Sequence, residues 1–338
     1  MKKNIALIFG SMDSEHDVSV ASAASVYENF PHDDYNCQLI YIGQDGKWYH
    51  GLYTLDEMTA LKLENHEELY LRFDQQSPGF YNVEKNEKLT IDGAFLMLHG
   101  KTGEGGYVQG LLALAHIPFT GCNLLSSALC MDKAYTHIIC EHAGIPMAQY
   151  QLISSFKEVN HTLIAYPCIV KPSREGSSFG VSYVKTAQDL EKAINVALEF
   201  DDRVLIEEYI DGTEVGMSIL DTKEGRIISE VDQVNVSGEV FDFQEKYHPH
   251  NTETLKESLF PKIVLDEIKE MGSKVFDALY CDQFSRLDFF VTKNNEIYFN
   301  EVNTIPGFTA NSRYPKMMEN VGVDYTDLIQ RLIEDSLC

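Results

Sequence analysis

The stretch SRLDFFVTKNNEIYFNEVN, residues 285–303, restricts the fold more than any other part of the chain. Two apolar runs rich in aromatic and β-branched residues flank Lys-Asn-Asn, the pattern of antiparallel strands joined by a tight turn. With the turn centred on Asn294-Asn295, Asp288 faces Glu301 and Arg286 faces Asn303. Carboxylates directly opposite on one face of a hairpin repel each other. Three arrangements tolerate them: a solvated sheet edge, where the repulsion is screened, a carboxyl group with a raised pKa, or a bound cation. Phe289, Phe290, Val291, Ile297, Tyr298 and Phe299 argue that both faces are at least partly buried, against the first. Two carboxylates and an amide oxygen are hard donors of the kind Mg²⁺ accepts beside nucleotide phosphates.

With 338 residues the chain has material for two or three domains with developed cores. Its formal charge of −25, from 27 basic and 52 acidic residues, disfavours nucleic-acid and anionic-membrane partners, which would repel it. A local basic pocket for a small anion remains compatible with that charge. The seven cysteines, Cys37, Cys122, Cys130, Cys140, Cys168, Cys281 and Cys338, include no CxxC pair, and are expected as buried thiols in a reducing cytosol. The apolar run after Met1 is cut at Gly10 and is too short for a signal peptide. No stretch reaches the length of a membrane span. A soluble, cytoplasmic protein is expected.

Residues 4–9, NIALIF, read as a buried strand, followed by a polar loop and a helix with Val20, Ala23, Ala24, Tyr27 and Phe30 at helical spacing. With further strands at 37–43 and 93–98 this predicts an open α/β sheet, whose ligands gather at the carboxyl ends of strands. Glu15 follows the first such end and His99 a later one, and the loop lacks GxGxxG. A new segment starts near residue 120, with one helix expected through about residue 143. Strands, a helix near 187–200 and the run VLIEEYI (204–210) follow. From about residue 210 a third segment holds more strands, a polar stretch at 236–259, a helix with Val264, Ile268, Val275 and Leu279, the hairpin, and a helix at 325–336. The domains are therefore expected at 1–121, 122–211 and 212–338.

HGKTGEGG (99–106) ends like a phosphate-binding P-loop, but that pattern needs glycine at Phe95, so the reading fails. IVKPSREGSSFGVS (169–182) delivers Lys171 from a strand into a Gly/Ser-rich loop. There Gly176 and Gly180 permit turns that aim N–H groups at an anion. An ordinary hairpin loop would read the same. Glu207 and Glu208 lie within a hydrophobic strand and Glu214 just beyond its turn; they either alternate toward water or accept from a nucleoside.

Taken in order, SEHDVS, LHGKTGEGGYVQG, SSALCMDK, KPSREGSSFGVS, EKY, SRLDFF and NEVNTIPGFT, from residue 14 to residue 309, resemble the motifs of D-alanine–D-alanine ligases. The resemblance covers nearly the whole chain. It implies an ATP-grasp fold of the α/β (α+β) class, with an open Rossmann-like N-terminal domain and two ATP-grasp subdomains. It implies ATP and two Mg²⁺ ions, with Mn²⁺ as a substitute, held by Asp288, Glu301 and Asn303. ATP would lie against Lys133, Lys171, Ser178, Glu207, Glu208, Ile210, Glu214 and Lys246. Arg286 and the N–H of Gly307 would stabilise a tetrahedral oxyanion. Glu15 would take the first D-alanine's ammonium with His99 nearby. Glu15, Ser177 and Tyr247 would pin a lid at 236–259, and Ser312 would bind the second substrate's carboxylate.

The implied reaction transfers the γ-phosphoryl group to D-alanine and lets the amine of a second D-amino acid displace phosphate, for peptidoglycan precursors. A cytoplasmic homodimer, with no nucleic-acid or membrane partner, goes with that resemblance. Ser11 and Gly105 stand where the family more often has glycine and aspartate. The family divides by acceptor into D-alanine, D-serine and D-lactate enzymes, the latter two associated with vancomycin resistance. Tyr247 resembles the first two. Arg313, where D-alanine enzymes commonly have leucine or methionine, is expected beside the acceptor, its guanidinium donating to a D-serine hydroxyl; alternatively it pairs with an acid elsewhere. A two-lobed small-molecule binding protein and another ATP-grasp ligase are the remaining alternatives.

Overall fold

The computed structural model describes residues 2–51, 54–61, 66–236, 252–255 and 258–337. Lys246, Tyr247 and most of the expected lid at 236–259 lie outside the described residues.

The first sheet is built from β1 (Lys3–Gly10), β2 (Tyr35–Ile42), β3 (Trp48–His50), β4 (Glu67–Arg72), β5 (Gly79–Asn82) and β6 (Gly93–Met97), in the order β5-β4-β3-β2-β1-β6. β1 runs parallel to both β2 and β6. Six consecutive buried residues, Ile5–Gly10, mark it as a strand covered on both faces. α1 (His16–Glu28) covers it, α2 (Leu55–Thr59) follows β3, and β3, β4 and β5 extend the sheet as an antiparallel meander that the periodicity did not predict. After β6 come α3 (Gly100–Glu104) and α4 (Tyr107–Leu114).

The single helix expected through residue 143 is two: α5 (Leu124–Met131) and α6 (Lys133–His142). Asp132 causes the break. Its side chain accepts from the N–H groups of Ala134 and Tyr135, capping α6, and also from Ser173 Oγ at 2.7 Å and Arg203 Nη1 at 2.8 Å. Lys133 thereby becomes the first residue of a helix.

The second sheet comprises β7 (Tyr150–Ile153), β8 (Cys168–Pro172), β9 (Ser182–Val184) and β10 (Val204–Glu208), ordered β7-β10-β8-β9 and backed by α7 (Leu190–Leu198). The third comprises β11 (Gly212–Thr222), β12 (Gly225–Ile228), β13 (Asp232–Val236), β14 (Thr252–Leu255), β15 (Gln283–Thr292) and β16 (Ile297–Asn303), with α8 (Lys262–Ala278) on one face. α9 (Arg313–Asn320) and α10 (Tyr325–Ser336) end the description.

Both of these last helices contribute to the core of the first sheet. Tyr314, Met318, Leu328, Ile329, Leu332 and Ile333 are buried in the same apolar core as β1 and β6. The six described cysteines are free thiols, and among the described residues no helix is long and apolar enough to cross a membrane.

Candidate active site

The hairpin of β15 and β16 pairs Asp288 with Glu301 and Arg286 with Asn303. Two features combine to give that register. The tight end pairs Val291 with Ile297 and Phe289 with Phe299, so its turn centres on Asn294, with Asn295 in the left-handed region at φ 65°. The register then shifts between Phe289 and Asp288, leaving Asn300 as the extra residue of a β-bulge. A turn one step tighter than expected is thus offset by one inserted residue.

Asp288 is 2% exposed and accepts from Arg286 Nε at 3.0 Å and Nη2 at 2.8 Å, and from Asn303 Nδ2 at 3.1 Å. The Glu301 carboxylate accepts no hydrogen bond from another described residue, and lies where two cavities meet. The donors present fit a hard cation: two opposed carboxylates, one already surrounded by positive groups, and an amide that offers its oxygen after a 180° flip. Among the described residues no cluster of three or more His, Cys, Asp or Glu side chains suits a metal, so this set needs phosphate oxygens or water to complete it.

The larger cavity, about 380 Å³, is lined by Lys133, Lys171, Ser178, Glu207, Glu208, Ile210 and Glu214, together with Asp288 and Glu301. Ile169, Val181, Phe290 and Phe299 give it apolar lining, and Lys133 and Lys171 give it positive charge. The loop between β8 and β9 carries two consecutive non-glycine residues in the left-handed region, Ser177 at φ 45° and Ser178 at φ 56°. Gly176 needs no such conformation; a Cβ there would lie 3.0 Å from Glu15 Oε2. Ser177 Oγ donates to Glu15 Oε1, closing the loop onto the N-terminal sheet's first helix.

One residue stands differently from expectation. Glu207 accepts from Lys171 Nζ at 2.6 Å and His137 Nε2 at 2.9 Å, one partner for each oxygen. Burial would raise its pKa, but Lys171 and His137 outweigh it and hold the group at about 2. Glu207 is therefore suited to anchoring Lys171 rather than to accepting from a nucleoside. Lys133 Nζ donates to the carbonyl of Glu175 at 2.6 Å, and burial lowers its pKa.

The second cavity, about 250 Å³, is lined by Glu15, His99, Ser177, Arg286, Glu301, Asn303 and Gly307. It shares Lys133, Glu175, Gly176, Ser177, Arg286, Asn300 and Glu301 with the first. Burial raises the pKa of Glu15, with the Ser177 hydrogen bond opposing, and lowers that of His99 to about 4, so its imidazole is neutral. His99 Nε2 lies 3.0 Å from Ser22 Oγ.

Sequence reasoning missed Glu104 in this cavity. Its carboxyl accepts from the N–H of Gly100 at 3.2 Å and of Ile305 at 3.3 Å, and burial, with Glu15 adding to it, pushes its pKa up to about 8. A carboxylate set among glycines just beyond a strand end was the available signal.

Ser312 and Arg313 do not line the second cavity. Ser312 Oγ accepts from the N–H of Thr309 at 3.0 Å and lies 2.8 Å from Thr309 Oγ1. Arg313 turns to the first cavity, where Asp232 holds it at 2.9 and 2.6 Å. Of the two expectations for Arg313, the pairing with an acid is the one the described residues show. The guanidinium is spent on an acid outside that cavity.

These sheets, with two cavities sharing a wall that includes Glu301, define an ATP-grasp enzyme, an ATP-dependent ligase. The descriptions "D-ala D-ala ligase N-terminus" and "D-ala D-ala ligase C-terminus" match residues 4–122 and 139–334. The chain belongs to the D-alanine–D-alanine ligase family. It is 36% identical to a D-alanine–D-alanine ligase of Caldicellulosiruptor bescii, over 98% of this chain and 94% of that one. It is 37% identical to the vancomycin/teicoplanin A-type resistance protein VanA of Enterococcus faecium, over 97% of each. The crystal structure of VanG D-Ala:D-Ser ligase from Enterococcus faecalis superposes with a TM-score of 0.91 at 36% identity, covering 99% of this chain and 100% of that one.

Proposed function

We propose that the enzyme joins D-alanine to D-serine through a D-alanyl phosphate, supplying a dipeptide for peptidoglycan precursors. The observation that carries a two-substrate transfer is the wall shared by the two cavities. A nucleotide in the first and an amino acid in the second would meet at Lys133, Arg286 and Glu301. D-Serine as acceptor rests on likeness to the VanG ligase and no longer on Arg313. D-Alanine as acceptor is the second reading, supported by the C. bescii relative.

In this mechanism Glu15 receives the ammonium of the first D-alanine, steadied by Ser177. The D-alanine carboxylate lies toward Arg286 and attacks the γ-phosphorus in line with the departing ADP oxygen, giving D-alanyl phosphate. Asp288, Glu301 and Asn303 would hold Mg²⁺, or Mn²⁺, which when bound neutralises phosphate oxygens. The second amine adds to the acyl carbon, Arg286 and the Gly307 N–H receive the oxyanion, and phosphate leaves. Preorganised donors aimed at developing charge account for most of such catalysis. Lys171, held by Glu207, and Lys133 grip the nucleotide, with Ser178, Glu208, Ile210, Glu214 and Lys246 beside it. Ser312 takes the acceptor carboxylate and Tyr247 closes the lid. Domains at 1–121, 122–211 and 212–338, a cytoplasmic location and a homodimer belong to the same proposal.

The test is phosphate release from ATP and Mg²⁺, with D-alanine alone and then with D-serine or D-lactate added. Product analysis follows at equal D-alanine and D-serine near neutral pH. Mixed D-alanyl-D-serine as the main product is expected. Mainly D-alanyl-D-alanine would reject the acceptor, and no D-amino-acid-dependent release would reject the reaction.

A further inference from the structure

We infer that Cys130 and Cys281 form an oxidisable dithiol site, which a peroxide converts into a disulfide joining the wall of the second cavity to the turn that leads into β15. The site itself stands apart from the ligase reading above; only its effect on turnover rests on that reading.

Cys130 lies in the last turn of α5 and lines the second cavity. Cys281 is half-buried in the turn between α8 and β15. Their Sγ atoms are 3.8 Å apart, although 151 residues separate them along the chain. A disulfide requires the two sulfurs to close to about 2.05 Å. Both sides of the contact are fixed in place. The Cys281 N–H donates to the carbonyl of Phe276 at 2.9 Å, and the turn carries two non-glycine residues in the left-handed region, Tyr280 at φ 59° and Gln283 at φ 56°. Gln283 Oε1 accepts from the N–H of Gly121 at 2.7 Å, tying this turn to the segment that leads into α5. Cys122 is the third thiol of the group. Asp282 occupies its Sγ, which accepts from the Asp282 N–H at 3.3 Å and donates to the Asp282 carbonyl at 3.6 Å. Cys130 is therefore the thiol left to pair with Cys281.

Oxidation starts at Cys130, which the second cavity reaches. Its thiolate attacks one oxygen of hydrogen peroxide. The S–O bond forms as the O–O bond breaks, leaving a sulfenic acid, and the departing hydroxide takes up the thiol's proton as water. Cys281 then attacks that sulfur: the S–S bond forms, the S–O bond breaks, and hydroxide leaves with the Cys281 proton as a second water. Two thiols lose two electrons and one peroxide gains them. The Cys122 hydrogen bond lowers the pKa of Cys281, but the Cys130 hydrogen bond and burial outweigh it and raise it well above the ordinary thiol value. Cys281 thus keeps its proton until the sulfenic acid lies against it, and closure is slow. Closure also pulls on the end of α5. Asp132, which caps α6, and Lys133, which lines both cavities, follow two and three residues later.

The experiment treats the full chain, free of metal and nucleotide, with hydrogen peroxide, blocks remaining thiols with N-ethylmaleimide and maps unreduced peptides by mass. D-Alanine-dependent phosphate release is measured before treatment, after it, and after dithiothreitol. A cross-link between the Cys130 and Cys281 peptides is expected. Turnover should fall about tenfold on full cross-linking, through displacement of Lys133, in proportion to the cross-linked fraction, and return with dithiothreitol. Cys281→Ser should keep basal turnover and form no link through Cys130, and Cys122→Ser should still form the Cys130–Cys281 link. Absence of that link in wild type, a link from Cys281 to Cys122 in its place, or sulfinic acid at Cys130 without a link would overturn the site. A complete link that leaves turnover unchanged would overturn its effect on the enzyme. No phosphate release before treatment would count against the ligase reading alone, because the link is read by mass.

Discussion

Glu104 shows what a single residue can hide. Its folded pKa, about 8, lies above its ordinary value of 4.5 because burial, aided by the Glu15 carboxylate, disfavours the charged form. The folded state then binds the proton more tightly than the unfolded chain does. That contribution to stability is complete below about pH 4.5 and is lost as pH rises through about 8. Replacing the carboxyl by an amide removes the effect. In the metal- and nucleotide-free enzyme, Glu104→Gln should lose less stability than wild type between pH 5.5 and 8.5, by up to about 1.4 kcal/mol for each pH unit spanned. Denaturant midpoints at the two pH values measure this; parallel losses would show that Glu104 does not titrate there. Lys133, Lys171, Glu214 and Glu301 were legible in the sequence because each lies in a short local motif, and all four line the larger cavity. The direction of Arg313 was not legible. It depends on Asp232, 81 residues away, and on an empty position at Gly216 that only pairing of β11 with β13 and β15 brings beside it.

At the scale of elements, register decides whether opposed carboxylates share a face. Alternation along a strand has period two, so one residue more or less sends a side chain to the other side. The sequence located both strands and the Asp288–Glu301 pairing, but not the bulge at Asn300 that makes the pairing possible with the observed turn. Bulges leave little compositional trace, since any polar residue fills the extra place. Glu301→Gln should preserve the Phe289–Phe299 and Val291–Ile297 pairs, which hold the hairpin in its core, while removing the charge opposite Asp288. The expected result is a folded protein, by circular dichroism and melting, with phosphate release reduced at least about 100-fold, close to 3 kcal/mol of lost transition-state stabilisation. Retained turnover would mean that this face does not carry the chemistry. The break at Asp132 is similar in kind. A continuous apolar period hid two helices, and the cap became visible only with Ser173 and Arg203 around the same carboxylate.

Across the whole molecule, the open α/β sheet was legible from its buried strands, whereas the destination of the last helix was not. Amphipathic spacing shows that α10 has an apolar face but carries no address for it. Leu328, Ile329, Leu332 and Ile333 are fully buried with β1 and β6 in one core. At about 1.5–3 kcal/mol for each buried side chain, their combined burial rivals the 5–15 kcal/mol net stability of an ordinary domain. Removing residues 325–336 should therefore abolish the cooperative thermal transition of the N-terminal sheet, followed by calorimetry; an unchanged transition would show that the sheet is self-sufficient. The same helix sets a schedule for biosynthesis. β1 leaves the ribosome roughly 300 residues before the segment that seals its core, a wait of about 15–60 s at 5–20 residues per second. For that interval the nascent N-terminal sheet exposes the apolar surface that α10 will cover, and it stays prone to aggregation until the final turn of α10 arrives.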